Sequence, residues 1–221
     1  MIINPNSGPG GSSPDSVFAT ATANLKTFSN VKVLGYVRTG YADRSEATVN
    51  VEVDQYASWP EASRVEGIFF DETAEDQVTY MTTITSHVRS KFASSIVMFN
   101  PGTTVTEAYY SIADFVMIAE VPYAADVSKT MTGLSDPGKA TIIIYSMPST
   151  SAKTDLVNTA ITNKIGSVYF SQDPATYQKA GSDWTTFVSL MAGSSNSGAG
   201  TLFFFFSKAS YIALYRLTFA W

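Results

Sequence analysis

Seven short apolar runs recur along the chain at intervals of roughly 20 to 34 residues, most of them followed by turn formers and then by a stretch with helical spacing. They centre near Ile3, Gly35, Phe69, Met98, Met117, Ile143 and Tyr169. Strands that alternate with helices at this spacing form a parallel sheet, because each helix returns the chain to the edge from which it started. The runs are near-continuous in apolar character rather than alternating, which is the pattern of strands buried on both faces. A closed (β/α)8 barrel needs eight such units, and the chain opens on Met1-Ile2-Ile3-Asn4-Pro5, inside a strand already in progress. The fold class expected is therefore α/β, a (β/α)8 TIM-type barrel lacking its first βα unit. An open doubly wound sheet is the alternative, but the glycine fingerprint of a dinucleotide-binding sheet is absent.

Composition narrows the chemistry. The chain has no cysteine and a single histidine, His87, so thiolate catalysis, cysteine zinc sites and multi-histidine metal centres are excluded, and no metal or other cofactor is expected. His87 falls inside the helical stretch 76–92, where a partly exposed structural role is expected. Fourteen Lys and Arg against 19 Asp and Glu leave a net charge of -5, which argues against nucleic acid as a partner. No basic segment followed by an apolar run marks a secretory signal.

What the chain does offer is carboxylates at the ends of strands, the end at which parallel barrels carry their chemistry. Gly67-Ile68-Phe69-Phe70 leads straight into Asp71-Glu72, and Phe115-Val116-Met117-Ile118-Ala119 leads into Glu120. Successive strand side chains point to opposite faces, so one of Asp71 and Glu72 should face the cavity and the other the wall beside it. The plainer alternative is that Asp71 caps the following helix and Glu72 sits in its first turn. Glu120 could likewise be structural, paired with Arg38 across the mouth. Around these acids, Tyr36, Arg38, Asn100, Tyr145 and Gln172 stand at or near strand ends. Asn4 heads the glycine-rich loop Asn4-Pro5-Asn6-Ser7-Gly8-Pro9-Gly10-Gly11, which lacks the Gly-Lys-Ser/Thr ending of a phosphate cradle. All six are candidate substrate contacts, and all six could instead be packing.

By domain, residues 1–192 read as the barrel and 193–200 as a linker-like stretch. Residues 201–221 form an aromatic, apolar tail holding eight of the chain's 29 aromatics. Lys208 and Arg216 lie well inside the tail, where each would cost about 2.5 to 3.5 kcal/mol at a bilayer centre, which argues against a membrane span. An added helix or strand packed on the domain and a non-native ending are the other readings.

Taken in order, these stretches carry a resemblance. Asn4 to Gly10 with Pro14-Asp15, Val33 to Thr39, Gly67 to Glu72, Asn100-Pro101-Gly102, and Ala113-Asp114 ahead of Glu120 resemble the spherulin-4 family of fungi, slime moulds and some bacteria, over residues 2–192. The resemblance implies a (β/α)8-barrel glycosidase that cleaves α-1,4-linked N-acetylgalactosamine or galactosamine polysaccharide. Its functional carboxylates would map onto Asp71, Glu72 and Glu120. It also implies secretion or a cell-wall location, with a polysaccharide as partner; the chain itself is expected to be a monomer. Family members begin with an extra strand and helix, and the aromatic tail has no counterpart among them. A catalytically inactive carbohydrate-binding or spore-wall protein on the same scaffold is the rival from another class.

Overall fold

The computed structural model describes residues 1–174, 182–194 and 205–207. All seven expected runs are strands. They are β1 (Ile2–Asn4), β2 (Leu34–Arg38), β3 (Gly67–Asp71), β4 (Ile96–Phe99), β5 (Phe115–Pro122), β6 (Ala140–Tyr145) and β7 (Ser167–Phe170). Helices α1 (Ser16–Leu25), α2 (Glu46–Ser58), α3 (Val78–Lys91), α4 (Glu107–Ile112), α5 (Thr150–Thr162) and α6 (Trp184–Ser194) follow all but β5, after which the chain makes two short 3-10 turns. Side-chain oxygens begin three of the helices: Asp15 accepts from the Val17 N–H, Ser45 from Thr48 and Ser149 from Ala152. Each satisfies one of the backbone donors that the first helical turn leaves open.

Every described strand pairing is parallel, in the order β7-β6-β5-β4-β3-β2-β1-β8, where β8 is Phe205–Ser207. The strand β8 comes from the aromatic tail and lies against the outer edge of β1, with Ile2 opposite Phe205. It takes the position beside β1 that an additional first strand would take. Helix α6 continues to Ser194, two residues into the stretch expected to be a linker. The rest of that linker (195–200) and of the tail (201–204 and 208–221) lies outside the described residues.

The two faces of the sheet can be told apart by their neighbours. Tyr56 of α2 lies over Gly35, where an added Cβ would sit 2.8 Å from its ring. Phe99 meets Tyr109 of α4 edge-on, with centroids 6.1 Å apart. Gly35, Val37, Phe70 and Phe99 therefore face the helices, and by alternation Tyr36, Phe69, Asp71 and Met98 face the other way. That inner face is not open to water: Phe69 and Met98 are fully buried, and Ile143 and Tyr169 nearly so. A sheet with helices outside and a dry inner face has curled on itself, as in a partly formed barrel. Both faces contribute to a single buried core.

Candidate active site

The strand β3 ends on Asp71, on the inner face. The Tyr36 hydroxyl, from β2, donates to Asp71 Oδ2 at 2.6 Å. The Asn100 amide, just past β4, donates to Asp71 Oδ1 at 2.8 Å. Two neutral donors from the two flanking strands thus grip one carboxylate, one on each oxygen. The grip also fixes which way the Asn100 amide points, since only its NH2 can face a carboxylate. Tyr36 is a lasting donor: burial, then its bond to Asp71, pushes its phenol far above the usual tyrosine range.

Glu72 does a different job. Its backbone adopts φ 52°, the left-handed region that a side chain with a Cβ enters at a cost of about 1 to 2 kcal/mol. That turn takes its carboxylate out of the strand's alternation and onto Arg38, whose Nε donates to Oε2 at 2.6 Å. The Glu72 carbonyl accepts from the Tyr41 N–H at 2.7 Å and from the Thr39 hydroxyl at 2.6 Å, bonds that offset the conformational cost. Thr39 is fully buried and also reaches the Asp71 carbonyl, at 3.1 Å. It staples the end of β2 to the acid pair, and its place directly after the Tyr36-Val37-Arg38 segment was the available signal for it.

The helix-cap alternative for this pair does not hold, because α3 begins six residues beyond Glu72 with Gln77 at its N-cap. Arg38 meets Glu72 through its Nε.

Glu120 reaches the inner face through an irregularity. The register between β5 and β6 runs Met117 to Thr141 and then Ala119 to Ile142, skipping Ile118, so β5 carries a bulge. Val116 pairs with Phe99 and shares its outward face, which makes Met117 inward. In an unbroken strand Glu120 would then point outward with the helices. The bulge adds one residue and turns it inward beside Ile143, on the face that carries Asp71. The strands β3 and β5 flank β4, so their backbones stand about 10 Å apart. Asp71, Glu120, Tyr36, Asn100 and Tyr145 are all half-buried.

The remaining expected contacts divide. Tyr145 ends β6 on the inner face by the same alternation, and its carbonyl accepts from the Tyr123 N–H at 2.8 Å. Asn4 shapes its own loop, accepting from the Gly8 N–H at 3.0 Å. Gln172 lies past β7 with its backbone N–H on Asp183 Oδ2 at 3.3 Å. His87 is on α3, bonded to Asp54 of α2 at 2.8 Å, away from the strand ends as expected. No helix among the described residues is long and apolar enough to cross a membrane.

Three comparisons bear on this geometry. A family model described as spherulation-specific family 4 matches residues 1–191. Spherulin-4 of Physarum polycephalum is 38% identical over 121 residues, which is 54% of this chain and only 36% of that protein's length. Among solved structures, Aspergillus clavatus Sph3, crystallised in complex with GalNAc, superposes with a TM-score of 0.79 at 29% identity, covering 86% of this chain and 84% of that one.

Proposed function

The chain belongs to spherulation-specific family 4, and from that premise, with two inward carboxylates on strands β3 and β5, we propose that it is a glycoside hydrolase. Its substrate in this reading is a polysaccharide of α-1,4-linked N-acetylgalactosamine or galactosamine. The likeness to a structure that holds GalNAc supports a carbohydrate-active function. The family resemblance supplies the linkage.

The observation that carries the reading is that Asp71 and Glu120 share the inner face at the carboxyl ends of strands two apart. Glycoside cleavage needs one carboxylic acid to protonate the leaving oxygen. It needs a second carboxylate, across the sugar, to attack the anomeric carbon or to activate water. Asp71 takes the second role, because Tyr36 and Asn100 aim it and neither of them competes for its charge as a cation would. Glu120 takes the first role, as proton donor. Glu72 and Arg38 form a charged pair beside Asp71 and steady the wall of the site. In an α-linked N-acetylhexosamine the acetamido group lies on the same face as the leaving group and is badly placed for internal attack, so the protein's own carboxylate has to attack or to activate the water that does.

The test is release of oligosaccharides from purified α-1,4-linked N-acetylgalactosamine polymer by the full chain, beside Glu120→Gln and Asp71→Asn variants. Hydrolysis by the parent and its loss in both variants is the expected result. A parent that binds the polymer and releases nothing would overturn the hydrolase reading in favour of a wall-binding protein.

A further inference from the structure

Three large hydrophobic side chains stand exposed among the described residues, Val17, Tyr41 and Val51, and of these only Tyr41 is aromatic. It is 62% exposed and sits beside the acid pair, its backbone N–H bonded to the Glu72 carbonyl at 2.7 Å. Its backbone is in the left-handed region, φ 55°, between Gly40 at 63° and Ala42 at 68°. An aromatic residue rarely adopts that conformation, and a glycine would make the same turn without strain. Backbone strain of this kind gathers where a side chain is needed for something other than the fold.

The loop that carries Tyr41 is also firmly held. The Thr39 N–H donates to the Asp71 carbonyl at 2.9 Å, and the Asp43 N–H returns to Gly40 at 2.9 Å. Arg44 bonds back to the Arg38 carbonyl and pairs with Glu52 of α2. The Tyr80 hydroxyl of α3 fixes the Arg44 carbonyl at 2.8 Å. A solvent-facing ring on a backbone stapled to Glu72 is a pre-organised platform, and little conformational freedom is lost when a ligand settles on it.

We infer that Tyr41 is a sugar-stacking residue, binding a galacto-configured ring of the substrate next to the bond that is cleaved. The inference rests on the glycosidase reading above and adds to it a residue that sets affinity and sugar preference. In a galacto-configured ring the axial 4-oxygen lies on one side. The C3, C4 and C5 hydrogens are left together on the other, an apolar patch that lies flat against an aromatic ring. A gluco-configured ring lacks that undivided patch and gains less from the contact.

Two separate measurements test it. Affinity is read by calorimetry with α-1,4-linked N-acetylgalactosamine oligosaccharides and the Glu120→Gln protein, with and without a second change at Tyr41. Turnover is read as kcat and KM on the otherwise unaltered chain. Tyr41→Gly and Tyr41→Ala should each weaken binding and raise KM by about three- to tenfold, with kcat changed much less. Tyr41→Phe and Tyr41→Trp keep the ring and should stay within about twofold of the parent. Glycine accepts the positive φ, so Tyr41→Gly should melt no lower than the parent, which separates a lost contact from a damaged fold. Parent-like binding and KM in Tyr41→Gly would overturn the inference while leaving the hydrolase reading intact, as would a Tyr41→Phe as impaired as the glycine variant. Weakened binding in a chain that never releases product would support the stacking role and remove the hydrolase reading instead.

Discussion

Replacing Tyr36 with Phe deletes one oxygen and asks how much the grip on Asp71 is worth. The ring stays, 5.9 Å from Phe69 and in the same packing, so the change isolates the hydroxyl. What is lost is the 2.6 Å bond to Oδ2, while the Asn100 bond to Oδ1 at 2.8 Å remains. A hydrogen bond to an ionised group contributes about 1.5 to 3 kcal/mol, and the half-buried setting lets water replace part of it, which points to the lower end. The expected loss of stability is about 1.5 kcal/mol by urea denaturation, together with a fall of roughly tenfold in kcat/KM as Asp71 loses its alignment. Because the hydroxyl acts through Asp71, the same substitution in an Asp71→Ala background should cost under about 0.5 kcal/mol. An equal loss in both backgrounds would refute the argument, for it would mean that Tyr36 stabilises the protein by some other route. Full kcat/KM in Tyr36→Phe would refute the catalytic half of it.

Alkaline pH gives a second test. Burial raises the phenols of Tyr36 and of the fully buried Tyr56 above the ordinary value, so between pH 10 and the folded-state values the unfolded chain has released protons that the folded chain still holds. Stability should therefore fall as pH rises past 10, by about 1.4 kcal/mol per pH unit for each such tyrosine. Urea melts from pH 9 to 11.5 should show the fall, and Tyr56→Phe should make it shallower. Gly67→Ala should destabilise the fold by about 2 to 3 kcal/mol in the same assay, since an added Cβ would lie 1.9 Å from the Ile96 carbonyl and β3 cannot then approach β4. Lys153 and Asp183 form an ion pair with side chains 1% and 9% exposed, so Lys153→Met should cost about 3 to 5 kcal/mol by leaving a buried carboxylate unpaired. Adding Asp183→Leu should recover much of that loss, and its failure to do so would show that the loss does not come from the unpaired carboxylate.

Much of this arrangement was legible in the residues. The seven strands could be placed because each is a short apolar run closed by turn formers, and the acids Asp71 and Glu72 stood out because they end such a run without a break. The difference in their roles followed from alternation only in part. Alternation put one acid inward, and the left-handed turn at Glu72, which no local residue signals, put the other on Arg38. The eighth strand was hidden for a different reason. Phe205 and Phe206 sit in a run of four phenylalanines with no alternation and no helical spacing, a composition that suits a strand, a buried helix or an apolar tail equally well.

Glu120 shows most clearly where reading the sequence stops. The apolar run from Phe115 points to a strand that finishes on a carboxylate, yet β5 continues two residues further, to Pro122. Counting alternately from Val116, which faces the helices beside Phe99, assigns Glu120 to the helix side, where it could take no part in chemistry with Asp71. The extra residue at Ile118 reverses that assignment for everything downstream, and nothing in Met117-Ile118-Ala119 marks it: there is no glycine, no proline and no polar residue. Six residues of β6 align against β5 around the bulge, more than along any other described pair of strands, so the extra residue is fixed within a long pairing. The proposed proton donor is thus oriented by a feature of strand pairing. A one-residue deletion at Ile118 would leave the composition of the site unchanged and still turn Glu120 away from Asp71. A folded variant of that kind that retained full hydrolysis would remove Glu120 from the mechanism.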